Sequence, residues 1–317
     1  MKGMTAEHRC LILKPRATDY VKGVDSPIAF KAVVENWEPH FGFFERQLIG
    51  FETNGCVLFS TQEDFDAQID ALIADGTVPA TMLTQFESMG YMDTNSRDGT
   101  SHFHSSPRFL QIQTGNGYNG NAVQDGWDTI RTYGVLPWSD LPFDATIPEE
   151  TYLTGVTPEM LAKAAQFLAL IGGKNTVQYH WLNDGPPKNI PQILGSLPQA
   201  PLCTGVFLLD TTWNQVTPGN PPNDPPCHCV TTYAVNGEDS NILDHYPPFE
   251  KVLGAGYPMN YNFQGVVQII APVEQQIVQT TEQVVSQIAT DTTDTPAVKE
   301  TLLQEAEEVL KEIETII

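Results

Sequence analysis

Asn54-Gly55-Cys56-Val57-Leu58-Phe59-Ser60 is the stretch from which the fold is read, because it sets one thiol at the head of an apolar-periodic segment. Past Cys56, apolar residues recur at 58, 65, 69, 72 and 73, and Gly76 follows them. That spacing predicts a helix over 56–74 with a glycine stop. Asn54-Gly55 suits a tight lead into its first turn. A thiol in that turn lies at the positive end of the helix dipole, which favours the thiolate, as a neighbouring imidazolium also would. The plainer reading is a small buried hydrophobe, the usual fate of a free cysteine.

Two later stretches bear on that choice. His228 lies in Cys227-His228-Cys229-Val230-Thr231-Thr232-Tyr233-Ala234-Val235, and Asp244 opens Asp244-His245-Tyr246. Side chains alternate along a strand, so Cys227 and Cys229 face one way and His228 the other, against a shared Cys-His-Cys metal site. The 16-residue interval to Asp244 leaves room for a turn and a return strand. There the carboxylate is expected to accept the Nδ1 proton of His228 and stabilise the imidazolium. Tyr246, two residues on, is expected to shield that hydrogen bond. His245 competes as a base, but as Asp244's neighbour on a strand it faces the opposite way.

Outside these stretches the chain of 317 residues changes character once. Residues 1–50 read as irregular, with a short extended piece at Cys10-Leu11-Ile12-Leu13 and an aromatic cluster of Trp37, Phe41, Phe43 and Phe44. A Gly/Asn-rich stretch at 114–121 precedes a short helix from Trp127 to Tyr133 closed by Gly134. A further helix is expected over 158–171, from Pro158 to Gly172-Gly173. Past 175, apolar or alternating runs (176–182, 204–209, 227–235, 241–246, 265–271) are separated by proline-dense loops, the densest at 218–226. Those runs suggest a curled antiparallel sheet or half-barrel. The class is therefore α+β with two lobes: a helical lobe over about 45–175 and a β-rich lobe over about 176–271. A helical tail over 272–317 follows, where Leu302, Ala306, Val309, Ile313 and Ile316 form a heptad seam. It reads as a helical hairpin or coiled coil that docks on the body or on a second copy.

Sixteen Lys and Arg against 39 Asp and Glu leave a net charge of −23. Such a surface repels phosphate backbones and anionic lipid, so neither nucleic acid nor a membrane is expected as a direct partner. The five cysteines, Cys10, Cys56, Cys203, Cys227 and Cys229, form no disulfide framework, and an odd count leaves at least one thiol free. The polar start Met1-Lys2-Gly3-Met4-Thr5-Ala6-Glu7-His8 shows no signal-peptide core, and no run of about 18 apolar residues occurs for a spanning helix.

The residues quoted around Cys56, His228 and Asp244 resemble the papain-like cysteine peptidases. Cys56-Val57-Leu58-Phe59-Ser60 is similar to the family's Cys-Trp-Ala-Phe-Ser at the head of the central helix. Trp127, Ile130, Tyr133-Gly134-Val135 and Leu141-Pro142-Phe143 are similar to a following family segment. The interval from His228 to Asp244 is the one the family keeps between its histidine and its asparagine, and Tyr246 stands where the family has a shielding tryptophan. The resemblance covers about 35–271 and is closer still to the papain-like domains encoded by tailed bacteriophages. It rests there on Trp37-Glu38-Pro39, Glu45-Arg46-Gln47, Phe51-Glu52-Thr53-Asn54-Gly55-Cys56 and Asp244 to Phe249.

The resemblance implies a papain-like two-lobed fold and thiol-dependent cleavage of peptide or isopeptide bonds in a polypeptide substrate. Cys56 would be the nucleophile, His228 the base and Asp244 its orienter, with no cofactor. The family's oxyanion glutamine stands six residues before its cysteine, where this chain has Gly50. Gln47, nine before, would serve if the intervening loop is three residues longer. The cellular setting implied is host cytoplasm or virion, the tail mediating self-association or virion attachment. The first rival is a catalytically inactive papain-like structural or attachment module of a phage particle, and a cell-wall amidase ranks behind it.

Two further motifs carry less. Gly115-Asn116-Gly117-Tyr118-Asn119-Gly120 matches GxGxxG without a preceding buried strand, and reads as a loop near the substrate cleft. His102-Phe103-His104 lacks further ligands at metal spacing and reads as a surface loop.

Overall fold

The computed structural model describes residues 11–12, 34, 36–95, 97–184, 190–207, 226–255, 257–259 and 261–270. In chain order its main elements are β1 (Leu11–Ile12), α1 (Cys56–Ala74), α2 (Ala80–Ser88), β2 (Met92–Thr94), β3 (Ser101–Phe103), α3 (Pro107–Thr114), β4 (Asn121–Ala122), α4 (Val123–Tyr133), α5 (Glu149–Tyr152), α6 (Pro158–Leu170), β5 (Val177–Asp184), α7 (Ile190–Ser196), β6 (Leu202–Val206), β7 (His228–Asn236), β8 (Asp239–Leu243), β9 (Glu250–Leu253) and β10 (Tyr261–Val267). The expected α+β arrangement of a helical lobe and an antiparallel sheet is what forms. The tail over 272–317, its heptad seam, Cys10 and the proline-dense loop at 218–225 lie outside the described residues.

α1 starts and stops where the apolar spacing set it, but it has no solvent face. Every residue from Cys56 to Ala71 is buried, Glu63, Asp64, Asp66 and Asp70 included. The helix is wedged between the helical lobe and the sheet. Its lobe side packs Phe65 against Phe103 and Phe167, which Phe86 and Tyr91 join. Its sheet side meets Cys203, Cys229 and Phe263.

Buried carboxylates persist only where donors meet them. Asp66 accepts from the Ser105 amide (2.8 Å), the Ser105 hydroxyl (2.7 Å) and Gln62. Asp70 accepts from the Phe103 amide at 2.7 Å. Asp64 takes the Cys203 thiol at 3.1 Å.

The six-stranded sheet runs in the order β5-β10-β6-β7-β8-β9, with every pairing antiparallel. Its far face covers a second core of Leu202, Val206, Val230, Ile242, Leu253 and Met259. In the lobe, α6 is capped at Thr157, whose hydroxyl accepts from the Met160 amide, with Pro158 in the first turn. α4 begins four residues before the expected Trp127, because the Asp125 carboxylate accepts the Ala122 amide at 2.8 Å and caps an earlier start. In β10, Gly265 lies so close to the ring of Trp127 that a methyl group there would fall within it. The closeness fixes the sheet against α4.

The aromatic cluster expected before residue 50 is divided. Trp37 and Phe41 join Ala67, Ala71, Tyr233 and Leu243 in a small core between α1 and the sheet. Phe43 stacks on His104, and Phe44 packs on Phe249.

Candidate active site

Just before α1, the chain is held from several sides. Asn54 takes a left-handed conformation (φ +53°), its amide donating to Glu52 at 3.0 Å and its side chain to the Tyr118 carbonyl at 2.9 Å. Behind it, buried Gln111 donates to the carbonyls of Thr53 (2.6 Å) and Gly117 (3.0 Å) and accepts from the Tyr152 hydroxyl at 2.7 Å. A Cβ at Gly55 would come within 2.6 Å of the Gln111 oxygen, so a larger residue there must displace that hydrogen-bonded side chain. The glycine-rich loop thus walls the segment leading to Cys56 and follows a helix, α3, in place of the buried strand that dinucleotide binding needs.

His228 is the first residue of β7 and Asp244 follows the last of β8. The His228 Nε2 lies 2.7 Å from the Asp244 Oδ1, and both side chains are fully buried. This corrects the expectation that Nδ1 would make the bond: Nε2 is the nitrogen turned to the carboxylate, which sets Nδ1 on the opposite edge of the ring. The same Asp244 oxygen accepts the His245 amide at 2.7 Å, and its second oxygen takes the Lys251 ammonium. Lys251 also donates to the Tyr246 carbonyl at 2.7 Å.

Burial alone would raise the Asp244 carboxyl, but His228, Lys251 and His245 hold it far below the usual carboxylate range. Burial depresses Lys251, and Asp244 opposes that. Lys251 was missed from sequence. Its signal is the alternation along Glu250–Leu253, which puts Lys251 on the buried face with Leu253.

α1 and β7 run side by side in the same direction. Thr231 donates to the Ser60 carbonyl and to Glu63, both at 3.4 Å, while further along Tyr233 packs with Ala67 and Ala71. Thr231 lies three residues after His228, and Ser60 and Glu63 lie about one and two turns after Cys56. His228 lies 6.1 Å from His245, whose Nε2 is 3.1 Å from the Ser60 hydroxyl, one turn after Cys56. The Nδ1 of His245 lies 3.3 Å from Glu63, so its ring engages α1 while its amide serves Asp244. Tyr246 sits 5.5 Å from the His228 ring.

Gln47 reaches the same neighbourhood by way of an excursion. Leu48 bridges to Glu52 and the Ile49 amide meets the Phe51 carbonyl, so 48–52 form a tight turn. Gly50 is exposed at its tip, with no atom within 4 Å of where a side chain would begin. Gln47, fully buried, returns beside the segment leading to Cys56: its amide donates to the His245 carbonyl at 3.1 Å and its carbonyl accepts from Thr53 at 3.2 Å. Its side-chain nitrogen donates to Glu52 at 2.5 Å.

His102 and His104 do not lie in a surface loop. Both are buried. His102 pairs with Asp70 (2.8 Å) and Asp98 (3.1 Å), and His104 with Asp93 (2.9 Å) and Glu45 (3.1 Å). His104 is also stacked on the rings of Phe43 and Trp138. The acids come from distant sequence, which is why spacing near the histidines concealed them. Burial opposes the charge on His104, but Asp93 and Glu45 prevail and push it up to about 9. On α1, burial raises Asp66 to about 7 and also raises Glu63, Asp64 and Asp70.

These shifts share a sign. The His104 contribution is complete below its unfolded value near 6.5 and is lost as pH rises through 9. Asp66 binds its proton more tightly when folded, so the fold weakens as pH climbs from about 4 through 7, and Glu63, Asp64 and Asp70 act in the same direction. The melting temperature at pH 9 is expected to lie about 5–10 °C below that at pH 6, and His104→Gln should flatten the alkaline part. A melting temperature that rises over that interval would contradict these assignments.

Among the described residues, no group of three or more His, Cys, Asp or Glu side chains is arranged to hold a metal. None of the described helices is long and apolar enough to cross a membrane.

No protein-family model and no curated protein matches the chain. Among solved structures it is similar to xylellain, a cysteine protease from Xylella fastidiosa (11% identity, 82% of this chain and 99% of that one, TM-score 0.47). It is similar to digestive procathepsin L 3 of Tenebrio molitor larval midgut (12%, 83% and 77%, 0.45). A third is the Carica candamarcensis cysteine protease CMS1MS2 in complex with E-64 (10%, 74% and 97%, 0.46).

Proposed function

We propose that this chain is a papain-like thiol hydrolase of peptide or isopeptide bonds, with Cys56 as nucleophile, His228 as base and Asp244 as its orienter. The observation that carries the reading is the buried His228–Asp244 pair, 2.7 Å apart, whose neighbour His245 reaches Ser60 of α1 at 3.1 Å. An ionised carboxylate on Nε2 fixes the tautomer and supports a protonated imidazole whose Nδ1 edge serves the thiolate.

Cys56 sulfur bonds to the substrate carbonyl carbon while the carbonyl π pair moves to oxygen. The Cys56 amide and the Gln47 side chain stabilise that oxyanion. Collapse breaks the carbon–nitrogen bond, and the departing amine takes the proton from His228. Water then gives a proton to His228, attacks the thioester carbon and releases the acid, restoring the thiolate–imidazolium pair. The excursion at 48–52 supports Gln47 in its role, since it removes the additional residues and returns Gln47 to the nucleophile segment.

In this reading the lobes are about 45–175 and 176–271, the substrate is a polypeptide, and the tail over 272–317 serves self-association or attachment. The motif resemblance to tailed-phage domains supports a setting in host cytoplasm or virion. One observation favours the inactive structural module instead: the Cys56, His228 and Asp244 side chains have no exposure. The deciding experiment is labelling by a peptidyl epoxide together with peptide release from a fluorogenic library. Labelling and release that vanish in Cys56→Ala support the enzyme. An inert wild-type thiol and no release at neutral pH select the module.

A further inference from the structure

We infer that Glu52 is a positioning residue of the hydrolase proposed above, joining the oxyanion donor, the nucleophile segment and the base through one carboxylate. The inference rests on that proposed reading. The Glu52 Oε1 accepts from the Gln47 side-chain nitrogen at 2.5 Å and from the Asn54 amide at 3.0 Å. Its Oε2 accepts from the Tyr246 hydroxyl at 2.6 Å. These partners come from three places that the sequence separates: the segment before the 48–52 turn, the residue two before Cys56, and the strand end beyond Asp244.

Tyr246 is in turn tied to the base. Its ring lies 5.5 Å from His228, and its carbonyl takes the Lys251 ammonium that also holds Asp244. The carboxylate therefore spans from the head of α1 to the sheet lobe.

An ionised carboxylate offers about four acceptor positions, and three are filled here. A side-chain amide nitrogen carries two hydrogens in one plane. Holding one on Glu52 fixes where the other points, which is what an oxyanion donor needs and what a long glutamine side chain alone does not supply. The left-handed Asn54 is held by the same oxygen, so the donor and the Cys56 backbone share a reference point. Glu52 touches neither the sulfur nor the imidazole. It acts through Gln47, Asn54 and Tyr246.

The test compares Glu52→Ala, Glu52→Gln and Tyr246→Phe in the full chain, with a fluorogenic peptide for acyl transfer and iodoacetamide for the thiol. Displacement at iodoacetamide's saturated carbon builds no oxyanion. Glu52→Ala is expected to lose about 30- to 100-fold in kcat, with KM within threefold, while Cys56 is alkylated at no less than the wild-type rate. Glu52→Gln keeps a carbonyl oxygen for Gln47 and Asn54 and an amide that can donate to the Tyr246 oxygen. It should hold kcat within about tenfold of wild type, a rescue that a role through charge alone would not give. Tyr246→Phe should cost less than Glu52→Ala, and the double variant no more than Glu52→Ala, because the two act in one chain of contacts. Glu52→Ala with unchanged kcat overturns the inference, as does a fall in kcat matched by an equal fall in alkylation. An inert thiol in the wild type overturns the hydrolase reading instead, so the two failures are separable.

Discussion

Cys56→Ala is expected to abolish peptide release, a loss of at least about 10³-fold in kcat, with the fold retained. Removing one sulfur from the first turn of α1 leaves a void smaller than a methylene or two, worth about 1 kcal/mol of stability. The loss of turnover is therefore separable from unfolding by a melt on the same sample. Cys56→Ser should be nearly as inactive, since a hydroxyl has a far higher pKa than a thiol and the imidazolium at His228 cannot keep it ionised. Among the other described thiols, Cys203 offers no replacement. Cys203 is buried against Asp64, and burial, with the Cys229 thiol and Asp64 beside it, raises it well above the ordinary thiol range. Turnover within tenfold of wild type in Cys56→Ala would remove the nucleophile from the mechanism.

On the proposed reading, Asp244→Ala is expected to combine a catalytic loss with a structural one. The carboxylate accepts from His228, the His245 amide and Lys251 in a fully buried setting. Removing one partner of a buried ionic cluster strands the others, at a cost of about 3–5 kcal/mol. The variant should melt far below wild type and, where still folded at low temperature, turn over at least about 10²-fold more slowly because His228 loses its tautomer control. Asp244→Asn keeps an oxygen for His228 but no charge for Lys251, and should fall between the two. Because the Asp244 carboxyl is held below its unfolded value, its contribution is present above about pH 4 and is lost as pH falls below that. A melting temperature for Asp244→Ala equal to wild type would show that the cluster is not part of the folding free energy.

The fold was most legible where a single periodicity governed. The limits of α1 followed from apolar spacing and a glycine stop, and α6 from proline and paired glycines. Past 175, β5 and β7 were readable from short alternating runs, whereas the runs expected at 204–209, 241–246 and 265–271 begin two to four residues after β6, β8 and β10, and β9 hid behind Pro247-Pro248 and its buried lysine. α2, α3 and the β2–β3 hairpin were not foreseen, because between 80 and 114 polar residues interrupt every apolar period.

The burial of α1 on all sides could not be read at all. Glu63, Asp64, Asp66 and Asp70 look like a solvated face until Ser105, Phe103, Cys203 and Thr231 are brought to them from elsewhere. The same holds for the candidate site. Cys56, His228 and Asp244 announce themselves by residue type and interval. Lys251, Gln111 and the three contacts of Glu52 depend on chain crossings that no local pattern encodes. The choice between Nδ1 and Nε2 of His228 depends on ring orientation, which sequence leaves open.

A thiolate held by the His228 imidazolium is tested most directly by the rate of Cys56 alkylation at pH 6 in wild type and in His228→Ala. With the pair in place, wild type should react at least about tenfold faster at pH 6, the gap closing near pH 9.5 where an ordinary thiol ionises unaided. Equal rates at pH 6, in two folded proteins, would contradict the pairing and with it the proposed hydrolase.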